Sequence, residues 1–214
     1  KDEIRARFAK YGYTVRIQIR SSSYTNLSVI KSGLNTILYI DLDSRLRDLL
    51  QNPYASVEAQ KTKEMFDGML EHELGHVRHH DTETLLFARH CMPLPATYAA
   101  GLGTYSLLSS YVLTDGSLES IGGSLLGGAL AAFAMKKVGW DLIVAKFKRW
   151  QETRADRASV SQGERYARGL RTFFYSLGHE KRSFKERLYD THPASYDRIK
   201  VCESWLSYHQ RCGC

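Results

Sequence analysis

At 214 residues the chain can bury one substantial core, so one domain carrying an insertion is expected before two domains. Lys and Arg (30) exceed Asp and Glu (23) to give a net charge of +7, which favours acidic partners in a nonspecific way. The cations, Lys31, Arg45, Lys146, Arg165 and Lys185 among them, are scattered along the chain without a dense block, so a dedicated nucleic-acid reader is disfavoured and no specific nucleic-acid partner is expected. The four cysteines, Cys91, Cys202, Cys212 and Cys214, fit neither a zinc ribbon nor a secreted disulfide framework. A reducing compartment with free thiols is the expectation.

The first residues, Lys1-Asp2-Glu3-Ile4-Arg5, are charged and carry no apolar signal core. Because Lys1 is not an initiator Met, the chain reads as trimmed, which leaves a removed targeting segment open. Tyr13, Val15, Ile17 and Ile19 alternate with Thr14, Arg16, Gln18 and Arg20, the period-two pattern of a strand with one buried face. Ser21-Ser22-Ser23 reads as a turn, Leu27 to Ile30 as a second strand, Ser32-Gly33 as a turn and Thr36 to Ile40 as a more buried strand. Asp43 or Ser44 can cap a helix running through Leu50, which Asn52-Pro53 ends. Residues 1–55 thus form an N-terminal sheet region.

From 56 to 90 the apolar positions Met65, Phe66, Met69, Leu70, Leu74 and Val77 recur at three- and four-residue intervals, predicting one long helix. Residues 91–140 form an apolar hairpin: Cys91 to Thr114 and Ser120 to Met135 contain no charged residue, with Asp115-Gly116 and Glu119 between them. Their lengths approach the roughly 20 residues that span a bilayer. Tyr98, Thr104, Tyr105, Ser106 and Ser109 dilute the first, and Gly123 and Gly127 at small-xxx-small spacing suit the second to close helix packing in lipid or in a protein core. A soluble or peripheral hairpin is favoured, with membrane association through residues 91–135 as the alternative. The remainder, 141–214, reads as helices through Asp141 to Val160, through Leu170 to Gly178, and through Tyr196 to Trp205. The predicted fold class is α+β, mainly helical, with a small N-terminal sheet and an apolar helical insertion.

His72-Glu73-Leu74-Gly75-His76 match the H-E-x-x-H pattern on the long helix. One turn apart, His72 and His76 can reach one zinc ion while Glu73 lies beside it as general base. The bland alternative is a surface helix with two solvated histidines. A catalytic zinc needs a third protein ligand and an open position. A metzincin would place Gly at 79 and His at 82, but His79 and Thr82 stand there. In gluzincins the third ligand is a Glu on a later helix, for which Glu152 is the best candidate. Asp156, one turn on, can accept a hydrogen bond from the non-ligating nitrogen of a zinc histidine. His80 could compete as a ligand, although two exposed basic residues at 79 and 80 is the favoured reading.

These motifs resemble the gluzincin zinc peptidases of the HtpX and CAAX-prenyl protease family. His72 to His76 followed by Asp81, an apolar hairpin, the Glu152, Asp156, Arg157 segment, and Thr191-His192-Pro193 with Arg198-Ile199 occur in the family's order. The resemblance spans roughly residues 13 to 207. It implies a zinc endopeptidase with one ion per chain, held by His72, His76 and Glu152, with Glu73 as base. It also implies a protein substrate lying extended along an edge strand, which Asn26, Leu27, Ser28 and Val29 are expected to supply. His192 could stabilise the oxyanion or gate the zinc, or act only as a helix-cap element, and both stay open. Membrane members carry hydrophobic spans before the catalytic part, and none precede Tyr13 here. The expected setting is therefore soluble, cytoplasmic or secreted, the latter as a bacterial effector cleaving a host protein. The alternatives are an inner-membrane quality-control protease and a noncatalytic zinc-stabilised interaction module.

Overall fold

The computed structural model describes residues 1–22, 26–32, 35–42, 44–51, 53–112, 118–178 and 190–212. In chain order its elements are α1 (Asp2–Ala9), β1 (Val15–Ser21), β2 (Asn26–Ser32), β3 (Asn35–Leu42), α2 (Ser44–Gln51), α3 (Val57–Arg78) and α4 (Asp81–Cys91). Then follow α5 (Pro93–Val112), α6 (Leu118–Ala134), a π-helical turn (Met135–Gly139), α7 (Trp140–Val160), α8 (Glu164–Ser176) and α9 (Ser195–Cys212). The protein is mainly helical with one small sheet, the α+β class read from the sequence. By contacts it divides into two compact units. One comprises Lys1–Glu83, Arg149–Ser183 and His192–Cys214, the other Thr84–Lys148 and Phe184–Thr191.

In the first unit the strand order is β1-β3-β2. β3 runs parallel to β1, with Val15 opposite Thr36, and antiparallel to β2, with Leu27 opposite Ile40 and Val29 opposite Leu38. β3 is therefore central, matching its nearly continuous apolar run, and β2 has one open edge. α3 lays Phe66, Met69, Leu70, Leu74 and Val77 against Leu27, Leu38 and Ile40, all buried in one core with Phe8 and Val15. The period of the apolar residues dictates that face, and Ser56 starts the helix by accepting from the Ala59 N–H at 3.0 Å. A second cluster joins Val160, Ala167, Leu170, Phe174, Ile199, Cys202 and Leu206. α3 and α8 touch backbone to backbone: a Cβ on Gly68 would stand 2.6 Å from the Leu170 nitrogen, and one on Gly169 would collide with the Glu64 carbonyl. Asp67, 1% exposed, accepts from Arg7 at 2.8 Å and Lys63 at 2.9 Å and pairs with Arg165, tying α1 and α8 to α3.

The second unit holds the hairpin, α5 packed on α6. Gly101 and Gly128 meet there, since a Cβ on Gly128 would lie 2.9 Å from the Gly101 carbonyl. Leu94, Tyr98, Leu107, Leu125, Leu126, Leu130 and Phe133 remain exposed. Among the described residues no helix is long and apolar enough to cross a membrane.

Several expectations are corrected. The single helix expected over 56–90 is two, α3 and α4, because His80 adopts φ +54° and turns the chain. A helix, α1, precedes the first strand where only charge was read; its single buried side chain, Phe8, makes too weak a periodic signal. Ser21 closes β1 rather than opening a turn. Ser23, Gly33, Asp43, Asn52 and the Asp115-Gly116 turn lie outside the described residues.

Candidate functional site

His72 and His76 project from the same face of α3, one turn apart, with ring centroids 4.7 Å apart at 88° and their Nε2 atoms 3.1 Å apart. From α7, Glu152 brings Oε2 to 3.4 Å from His72 Nε2 and Oε1 to 3.5 Å from His76 Nε2. The three donor atoms lie within 4.8 Å of one another. The far nitrogen of each ring faces a carboxylate: His72 Nδ1 lies 2.9 Å from Asp156 Oδ1, and His76 Nδ1 lies 2.8 Å from Asp81 Oδ2. A carboxylate can only accept, so each Nδ1 carries a proton, and each Nε2 is left facing the shared point, where its lone pair becomes available once that nitrogen gives up its own proton.

Both carboxylates are themselves held. Arg198 grips Asp156 with two bonds, Nε at 2.8 Å and Nη2 at 2.7 Å, and its Nη2 also lies 3.2 Å from Glu152 Oε2. Asp81 pairs with Arg154, and its carbonyl accepts from Gln151 Nε2 at 3.1 Å. The break between α3 and α4 is what brings Asp81 back to His76, because a continued helix would carry position 81 around the cylinder.

Burial alone would discharge these groups, and their partners prevent it. Burial disfavours the His76 imidazolium, yet Asp81 and Glu152 outweigh it and push its pKa up to about 10. His72 is raised in the same way: burial opposes the charge, and Asp156 and Glu152 restore it. Glu152 is held well below the usual carboxylate range: burial acts against the charge, but hydrogen bonds from His192, His72 and His76 prevail. The cluster is organised to accept positive charge. Two imidazoles and one carboxylate, with both imidazoles oriented by carboxylates, form a donor set that fits a zinc ion.

Glu73 sits beside this group, and burial raises its pKa against the pull of His72, His76 and the Val29 N–H. That N–H donates to Glu73 Oε2 at 2.9 Å. Because Val29 thus points its backbone away from β3, the alternation of an antiparallel ladder directs the polar groups of Leu27 to the same open edge. All four residues lie in register with β3, Asn26 and Ser28 opposite Asp41 and Tyr39, and by the same alternation the backbone groups of these two turn toward β3. A cleft of about 400 Å³ opens here, walled by Leu27, Met69, Leu170, Phe173, Phe174 and Leu177, with His72, Glu73, Glu152 and Arg198 among its polar groups. His192, 59% exposed at its side chain, stands at the same cleft with Nδ1 3.4 Å from Glu152 Oε1.

His79 caps the end of α3. His80 lies 3.8 Å from Glu83 and is outside the three-residue donor group. Asp156, expected from the sequence to accept from a ligand histidine, does lie at His72 Nδ1, whereas the roles of Asp81 and Arg198 were not legible there. Asp81 was quoted only as part of a motif, and Arg198 only as the close of one; neither spacing reveals that they buttress the site. A model of the protein family described as Peptidase family M48 matches residues 30–206 of the chain. No curated protein matches it.

Proposed function

The chain belongs to peptidase family M48, and on that premise we propose that it is a zinc endopeptidase hydrolysing internal peptide bonds of protein substrates. The observation that carries the reading is the convergence of His72, His76 and Glu152, with Glu73 beside them at the mouth of a cleft. One zinc ion per chain, bound by these three residues, would polarise the scissile carbonyl and acidify a water molecule. Glu73 takes the proton of the attacking water and delivers it to the leaving amine, a role suited to a carboxylate whose pKa burial has raised. Asp156 and Asp81 keep His72 and His76 in the required tautomer. The substrate backbone pairs with the open edge of β2 at Leu27 and Val29, which suits an enzyme that accepts many sequences. His192, at the rim, donates to the oxyanion.

Metal content tests the ligand assignment. Purified protein should carry one zinc ion per chain by elemental analysis, and Glu152→Ala should lose it. Unchanged zinc in that variant would show that another residue completes the site.

A second reading adds a membrane to the setting. The exposed apolar side chains of α5 and α6 favour it, Leu94, Tyr98, Leu125 and Phe133 among them. Flotation with lipid vesicles tests this: protein left at the bottom of the gradient would remove the membrane from the account.

A further inference from the structure

We propose that the contact between Gly75 and Ala155 sets the width of the metal site, making Gly75 a positioning residue; this rests on the zinc reading above. The two helices carry the same pattern. His72 and His76 stand three residues before and one after Gly75, and Glu152 and Asp156 stand three before and one after Ala155. At 3.6 residues per turn, each trio falls within an arc of about 100°, so on each helix the small residue lies next to the two functional side chains. The helices touch at these small residues. A Cβ on Gly75 would lie 3.0 Å from Ala155 Cα, 3.2 Å from its Cβ and 3.3 Å from its carbonyl oxygen.

Two of those three obstacles are backbone atoms, which cannot rotate aside, so an added methyl group moves α3 and α7 apart by a few tenths of an ångström at the site. Zinc holds its ligands at about 2.0–2.2 Å, within about 0.2 Å of those values. A third ligand on a separate helix is therefore sensitive to a separation that the apolar core can absorb. In the free protein, Ala also favours the helix more than Gly does. The substitution thus separates two effects that most mutations confound: it supports the fold locally and impairs the metal geometry.

The test compares wild type, Gly75→Ala and the double variant Gly75→Ala with Ala155→Gly, which removes one of the three obstacles. Zinc affinity is read by competition with a chromophoric chelator, coordination by the cobalt-substituted absorption spectrum, and the fold by the melting temperature of the metal-free protein. Expected are zinc binding at least about tenfold weaker in Gly75→Ala, an altered cobalt spectrum, a metal-free melting temperature no lower than wild type, and partial recovery of affinity in the double variant. Wild-type zinc affinity in Gly75→Ala overturns the proposal. So does weaker binding accompanied by a lowered metal-free melting temperature, which assigns Gly75 to general packing. Absence of zinc binding in the wild type overturns the zinc reading itself.

Discussion

The backbone N–H of Val29 donates to Glu73 Oε2 over 2.9 Å, so the open edge of the sheet holds the carboxylate that lies beside His72 and His76. The edge positions Glu73 and, in the proposed function, also receives substrate. Val29→Pro removes this N–H while leaving a residue that an edge strand tolerates. Loss of this bond to a carboxylate, worth about 1.5–3 kcal/mol, should lower kcat by roughly 10–100-fold with zinc content unchanged. An unchanged kcat would show that Val29 does not position Glu73.

Asp81 and Asp156 each orient one histidine from the side opposite Glu152. Asn can present its amide nitrogen to Nδ1 and favour the wrong tautomer. Asp81→Asn and Asp156→Asn should each weaken zinc binding by about 10–100-fold, measured by chelator competition. Equal affinity in both would show that the ring orientations are set by packing alone.

Arg198 is the cation that grips Asp156, whose side chain is 0% exposed. Removing Arg198 leaves the buried Asp156 carboxylate with His72 as its remaining partner, so Arg198→Ala should cost the metal-free protein about 3–5 kcal/mol in urea unfolding. A loss under about 1 kcal/mol, the range of an exposed ion pair, would contradict the burial described for this pair.

Cys202 is fully buried against Ile199 and Phe174, and burial pushes its thiol up to about 12. It should resist a thiol reagent in the native protein, while the exposed Cys91 and Cys212 react. Because the folded pKa is raised, this group's contribution to stability is intact below its ordinary value near 9.0 and is lost as pH rises toward about 12. Rapid labelling of Cys202 without unfolding, read by mass spectrometry, would contradict its burial.

The parts of this protein that were legible in the sequence are those written in local period. The alternation from Tyr13 to Arg20 and the spacing from Phe66 to Val77 correspond to β1 and to the buried face of α3. The hairpin was legible for the same reason, through two uncharged stretches. The break at His79 and His80 was not, because a left-handed residue other than Gly leaves no propensity signal; His80 is held there by the turn around it. Arg198 joins α9 to α7 over 42 positions, and Val29 reaches Glu73 over 44. No local pattern encodes such distances. Strand order was equally hidden: β1 pairs with β3 and not with its sequence neighbour β2, which leaves β2 at the open edge facing Glu73.

The central claim is that Glu73 works as a base beside a metal held by His72, His76 and Glu152. Its most direct test treats a whole-cell lysate with zinc-loaded wild type or with zinc-loaded Glu73→Gln and compares new protein N-termini. The account predicts new termini with wild type and their loss, by about 10²–10⁴-fold in rate, with the variant at equal zinc content. The same termini at the same rate with both proteins would contradict it.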